Sequence, residues 1–142
     1  MIEDDIARIL TIASDNDFKV SVRIMIECLQ LCASHLPSVA VESLGVGRQF
    51  WCEGTASEVE IERARVACWE YLHQRGSIIY TFERESCAVR AVLCVLDADT
   101  PDDTRDVVDF FVQMLRVSLP DWDDEMFAES LTAVVRRFSE MA

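Results

Sequence analysis

The chain has 142 residues, enough for one domain, and its 26 acidic residues against 13 Lys and Arg give a formal net charge of −13. This charge argues against nucleic acids and anionic membrane surfaces as partners, and it favours basic ones. No window holds the roughly 18 apolar residues of a membrane span, and the first residues lack a signal-peptide pattern, so we expect a cytoplasmic protein.

The first three predicted helices span residues 2–13, 18–35 and 38–53. Apolar residues recur along the first with helical spacing, whereas the second is apolar on almost every side, which predicts a central, buried helix. Gly45 and Gly47 interrupt the third, and either a close contact with a neighbouring helix or a local kink would explain them. Gly54 is a natural stop for this helix.

The next two predicted helices span residues 56–74 and 78–96. Ser57 and Glu60 match a capping box, in which each side chain bonds to the backbone N–H of the other residue, while Thr55 and Glu58 offer a competing register. The second of these helices begins with residues that favour strands, but its later apolar residues are helically spaced. This pattern predicts one helix, with or without an irregular turn before it.

Two further helices complete the predicted fold. Thr100 is the predicted N-cap of the first, because Pro101 and two acidic residues follow it. Pro120 ends that helix, and Asp121 is the predicted cap of the last one. The chain is therefore predicted to form an all-α fold, a compact bundle of about six to seven helices, as a single domain over residues 1–142.

Residues 32–72 carry a distinctive order of features: Leu-Pro after a cysteine-bearing helix, then ESL, then RQFW-x-x-G, then a capped acidic helix ending in ERARVACWEYL. This order resembles the helical immunity proteins of bacterial polymorphic-toxin systems, the Imm5-like group. The resemblance implies an antidote that binds and blocks one cognate toxin and catalyses no reaction of its own. It implies no site residues, since the matching positions look like packing and turn positions: Trp51, Gly54, Ala64, Arg65 and Trp69.

Three potential metal ligands, Cys28, Cys32 and His35, share one helix face. A fourth ligand would have to come from Cys52, Cys68 or His73. Structural zinc sites more often bring cysteine pairs together from tight turns, so a buried helix face with a polar end is the preferred interpretation. We predict no bound metal and no cofactor.

Catalytic motifs are also missing from the sequence. A Cys–His nucleophile needs positive charge beside the thiolate, but the surroundings of the cysteines are acidic or apolar. The chain contains no serine-hydrolase or nucleotide-binding motif, and the calcium-loop-like start at Asp97 lacks the required Gly and Glu. We therefore predict that the protein is not an enzyme.

Most of the negative charge lies in residues 97–129, which hold eleven acidic residues and two arginines. Four of the acids follow helical spacing along one face, where like charges destabilise an isolated helix: Asp99, Asp102, Asp106 and Asp109. Helix capping leaves Asp106 and Asp109 unexplained. Trp122, ringed by acids, is either a staple that packs inward, the preferred interpretation, or an exposed anchor for a partner.

Such a surface suits a basic protein partner, and a merely solvated face explains it equally well. A carboxylate metal site is disfavoured because the chain has no Glu-x-x-His pair. The preferred hypothesis is an immunity-type inhibitor that neutralises a cognate toxin with a basic surface. The first alternative is a helical adaptor or regulatory protein that binds a basic partner. A carboxylate-bundle metalloenzyme is the least favoured alternative. The predicted partner-binding residues are Asp99, Asp102, Asp106, Asp109, Trp122, Asp123 and Asp124.

Overall fold

The computed structural model describes residues 2–15, 17–76, 83–97 and 101–141. These residues form seven α-helices: α1 (Ile2–Ala13), α2 (Phe18–Leu31), α3 (Ser38–Arg48), α4 (Glu58–Gln74), α5 (Arg84–Leu93), α6 (Thr104–Ser118) and α7 (Asp124–Met141). The described part contains no β-strand, and the predicted all-α bundle is confirmed. None of its helices combines the length and the apolar character needed to cross a membrane.

Helix α2 lies at the centre of the bundle, as its apolar residues predict. It packs against α1, α3, α6 and α7. Val22 and Ile24 point to nearly opposite sides of the helix, and neither is accessible to solvent. Because neighbouring helices cover each side, an almost wholly apolar helix is stable here.

Helices α2 and α3 both end earlier than predicted. Helix α2 is followed by a 3-10 turn, Ala33–His35, after which Leu36 is extended (φ −96°, ψ 144°). The ring of Pro37 disfavours a helical conformation at Leu36, which explains the break. Helix α3 continues into a π-helical turn, Gln49–Glu53, which ends at Gly54 with φ +68°.

A close helix contact explains one of the two glycines of α3. A Cβ atom on Gly47 would lie 3.3 Å from the backbone oxygen of Val95, just beyond α5, whereas a Cβ on Gly45 would meet open space. The same Val95 oxygen accepts a hydrogen bond from Trp51 Nε1 at 3.0 Å. Gly47 therefore allows the α3 backbone and the π-helical turn to approach the end of α5.

The capping box of α4 is confirmed in the Ser57–Glu60 register. The Ser57 hydroxyl accepts the Glu60 N–H at 3.2 Å, and the Glu60 carboxylate accepts the Ser57 N–H at 3.2 Å. The competing register from Thr55 is not adopted, since α4 begins at Glu58.

Replacing Ser57 with alanine should lower the free energy of unfolding by about 1 kcal/mol, because the Glu60 N–H in the first turn loses the hydroxyl that accepts it. Thr55→Ala is the matched control and should change it by less than about 0.5 kcal/mol. Urea denaturation followed by circular dichroism measures both values. Equal losses in the two variants would contradict the observed register.

The predicted N-caps of the last two helices are wrong. Helix α6 begins at Thr104, and Asp103, not Thr100, caps it by accepting the Arg105 N–H at 2.9 Å. Helix α7 begins at Asp124, and Asp123, not Asp121, accepts the Met126 N–H at 2.7 Å. In both cases an aspartate later in the chain occupies the N-cap position, because its carboxylate accepts a hydrogen bond from an N–H of the first turn.

The predicted helix over residues 78–96 is shorter in the structure. Helix α5 covers Arg84–Leu93, and residues 77–82 lie outside the described part of the chain. Tyr71 of α4 and Arg75, the residue that follows this helix, approach Glu85 of α5. The Arg75 guanidinium lies 3.2 Å from the Glu85 carboxylate, and the Tyr71 hydroxyl donates to it at 3.2 Å. These contacts join the end of α4 to the start of α5.

Candidate protein-binding site

The length of α6 divides the predicted acidic surface into two parts. Asp102 precedes this helix, Asp106 and Asp109 lie in its first half, and Trp122, Asp123 and Asp124 follow its end. At 1.5 Å per residue, Asp106 lies about 18 Å along the helix from that end, so it is separate from the group beyond it. The remaining predicted residue, Asp99, lies outside the described part of the chain.

The group beyond the end of α6 is engaged in local contacts. Besides the capping role of Asp123, the Asp124 carboxylate accepts a hydrogen bond from the Arg116 guanidinium at 3.0 Å. Trp122 is partly buried against the core and meets the His35 ring edge-on at 6.0 Å between centroids. These contacts match the interpretation of Trp122 as a residue that packs inward.

Asp109 is also paired within the protein. Its carboxylate accepts a hydrogen bond from Arg105 Nε at 2.9 Å, and the two residues are one helical turn apart. The hydrogen bond to Asp109, followed by the negative charges of Asp109, Asp4 and Asp103, raises the pKa of Arg105. Asp4 belongs to α1, so the acidic region around Arg105 extends onto a second helix, which the sequence does not predict.

Asp102 and Asp106 differ from the other predicted acids. Both are exposed, and neither makes a hydrogen bond or an ion pair with another residue that the structure describes. Their carboxylates are therefore accessible to water and to a cation from outside. Of the six described residues in the predicted site, only these two combine exposure with the lack of a partner among the described residues.

Asp106 lies at an apolar groove that the sequence does not predict. The groove has a volume of about 400 Å³ and is open to solvent. Its apolar lining comes from α2, α4, α5, α6 and the approach to α6: Phe18, Trp69, Leu93, Cys94, Pro101, Val107 and Phe110. Arg90, Asp97 and Asp106 supply its charged groups.

Two aromatic side chains of this groove are unusually exposed. Trp69 retains 45% of its accessible surface, and Phe110 retains 41%. Trp69 directly follows Cys68, and Phe110 directly precedes Phe111; both of these neighbours are fully buried. Each aromatic residue therefore lies about 100° around its helix from a residue that faces the core. In the sequence, such a residue can be recognised as an aromatic residue next to a position that helical spacing assigns to the core.

The helical period explains why charge and aromatic surface meet here. Asp106 and Phe110 are four residues apart on α6 and therefore share one face, with Val107 beside them. Val108 and Phe111 face the core instead, and both are fully buried. Packing of α6 against α5 then brings this face beside Leu93 and Trp69.

The cysteine and histidine residues of α2 and its 3-10 turn do not form a joint site. Burial raises the pKa of Cys28 and raises that of Cys32 to about 12, so both thiols stay protonated near neutral pH. His35 Nδ1 lies 3.2 Å from the Arg84 guanidinium, a cation that would repel a metal ion. No group of three or more His, Cys, Asp or Glu side chains in the described ranges is placed to hold a metal.

The described site thus has three properties: exposed carboxylates without internal partners, two exposed aromatic rings, and an apolar groove between them. Such a combination can bind the surface of another protein. Comparison of the chain with family models, with curated proteins and with solved structures found no match.

Proposed function

We propose that this protein is an immunity-type inhibitor, which binds a cognate toxin with a basic surface and thereby blocks the toxin. The observation that carries the proposal is the position of Asp106, an exposed carboxylate with no partner among the described residues, beside the exposed rings of Trp69 and Phe110. The inhibitor acts by occupying the toxin's surface and needs no catalytic group of its own.

The chemistry of this face supports a protein partner. Aromatic residues are enriched at the centres of protein interfaces, where they supply much of the binding energy. A formal net charge of −13 attracts a basic surface over a distance and repels acidic ones. The order of features in residues 32–72, which resembles helical immunity proteins, supports an antidote over an adaptor or regulatory protein.

The proposed binding surface differs from the predicted one in position and composition. It keeps Asp102 and Asp106 and adds the groove residues Trp69 and Phe110. Asp109 contributes less, because Arg105 already neutralises part of its charge. We define the acidic groove face as the groove together with Asp102 and Asp106.

The product of the neighbouring gene is the first partner to test. Co-expressed with this chain, it should co-purify as a complex and lose its toxicity to bacterial cells. Reversal of charge in Asp106→Lys should then slow association about three- to tenfold at low salt, since electrostatic steering is lost. The effect should shrink at physiological salt, where charges more than about 8 Å apart are screened.

Glu129→Lys is the matched control, because Glu129 is an exposed acid on α7, away from the groove. Stopped-flow association at two salt concentrations compares the two variants. Equal slowing by both would mean that only net charge matters, and an unchanged rate for Asp106→Lys would remove the acidic groove face from the interface. A complex with a basic protein that is not toxic would favour the adaptor instead.

A further inference from the structure

The apolar groove beside Asp106 indicates which side chains a partner presents to it. We propose that the groove receives an aromatic or long aliphatic side chain of a protein partner, and that a Lys or Arg one helical turn away from this anchor pairs with Asp106. This proposal rests on the proposed function, because it names the partner's chemistry at the same face.

The size and lining of the groove fit an apolar anchor. A volume of about 400 Å³ exceeds that of one large side chain and leaves room for part of its neighbour. Trp69 and Phe110 line the opening with 45% and 41% of their surfaces exposed, and an inserted side chain would remove much of that apolar surface from water. Hydrophobic stabilisation grows with the area so removed.

The position of the Asp106 carboxylate indicates where the partner carries its Lys or Arg relative to the apolar anchor side chain. Asp106 lies one helical turn from Phe110, so the two side chains are about 6 Å apart at their Cβ atoms. An amphipathic helix laid along the groove meets both when its cation and its anchor are also one turn apart. Asp97 adds a second carboxylate to the lining, against the single arginine, Arg90.

Other occupants fit this arrangement less well. A second copy of the chain would bring two molecules of charge −13 together at an acidic face, which is unfavourable. A small apolar molecule would fill the groove but leave the Asp106 carboxylate without a counter-charge. An anionic lipid surface would be repelled by the same carboxylates.

Synthetic peptides test the proposal without the toxin. The parent peptide is an amphipathic helix with Leu as the anchor and Lys one turn away; one variant replaces the Leu by Ala, and the other replaces the Lys by Glu. The full-length protein is labelled with fluorotryptophan, and fluorine NMR follows its three tryptophans, assigned by Trp→Phe substitution. The Trp69 resonance should shift on addition of the parent peptide, and those of Trp51 and Trp122 should move less.

The expected peptide affinities follow from two proposed contacts, that of the anchor side chain with Phe110 and that of the Lys with Asp106. Phe110→Ala should weaken binding of the parent peptide about tenfold or more and leave the weak binding of the Ala peptide nearly unchanged. Asp106→Asn should remove most of the preference for the Lys peptide over the Glu peptide. Two control variants outside the groove, Met126→Ala and Glu129→Gln, remove an exposed apolar group and an exposed charge and should change affinity less than about twofold.

Three results would overturn the proposal: no binding of the parent peptide at about 1 mM, equal binding of the Ala peptide, or equal shifts of all three tryptophan resonances. Tighter binding of free indole than of the parent peptide would assign the groove to a small molecule and would also overturn it. The co-expression and toxicity measurements report on the toxin complex directly and use no peptide. Failure of the anchor proposal is therefore distinguishable from failure of the proposed function.

Discussion

Phe111→Ala should lower the free energy of unfolding by about 3–5 kcal/mol, whereas Phe110→Ala should lower it by less than about 1 kcal/mol. Phe111 has no accessible surface and packs in the core, but its neighbour Phe110 keeps 41% of its surface exposed at the groove. Removal of the Phe111 ring abolishes the hydrophobic stabilisation from its burial, and it leaves a cavity that the surrounding helices fill only in part. Removal of the Phe110 ring leaves no enclosed cavity.

Urea denaturation of both variants measures these changes. The dependence of the free energy of unfolding on urea concentration should equal that of the parent protein. The two substitutions delete the same atoms from adjacent positions of α6, so helix propensity and composition are matched. Equal destabilisation would contradict the difference in burial. A stable Phe110→Ala variant also assures that its loss of peptide binding reports a lost contact and not unfolding.

The second large effect is a loss of stability at alkaline pH. Burial raises the pKa of Cys28, and it raises that of Cys32 from 9.0 to about 12, above the values of the unfolded chain. The unfolded state therefore releases these protons first as the pH rises. The stabilising contribution is complete below about pH 9 and is lost as the pH rises toward 12, by about 1.4 kcal/mol per pH unit for each thiol.

A Cys28→Ala, Cys32→Ala double variant isolates this contribution. It should lose a constant amount of stability from the missing sulfur contacts, but its free energy of unfolding should fall less steeply between pH 9 and 11 than that of the parent. Cys52→Ala is the control. Cys52 is exposed, and the positive charges of Arg48 and Arg23 oppose the burial that raises the pKa of its thiol, so its removal should alter the slope less than the double substitution does. Urea denaturation at each pH, under reducing conditions, provides the values. Parallel curves for the parent and the double variant would show that these thiols do not control the alkaline limit.

The helices and several of their ends followed from local sequence. The amphipathic period located all seven α-helices, and the capping box at Ser57 and Glu60 placed the start of α4, because its partners are only three residues apart. The almost wholly apolar composition of α2 indicated its central position. Each of these features depends on interactions within one helix or on the average burial of that helix.

Where several residues competed for one local role, the sequence alone was insufficient. Thr100 and Asp121 each satisfied the rules for an N-cap, but Asp103 and Asp123 hold those positions. The backbone path into α6 and α7 selects among these candidates, and that path depends on how the two helices pack.

The properties of the acidic residues were predicted only in part. The sequence by itself determined how many acids the segment carries, and the pairing of Arg105 with Asp109 follows from their spacing of one helical turn. The pairing of Arg116 with Asp124 crosses the turn between α6 and α7, so it depends on tertiary structure. The same is true of Asp106, whose availability follows from the absence of a cation in reach among the described residues.

The groove was decided by the tertiary structure alone. Trp69 and Phe110 are 41 positions apart in the chain, and they line the same groove because α5 packs against both α4 and α6. Helical period predicts which residues lie beside the core stripe of each helix, but not which helices become neighbours or how much of a flanking ring they leave uncovered. The sequence by itself therefore determined the helices and the charge, and packing between helices decided where an exposed carboxylate and exposed aromatic rings form one surface.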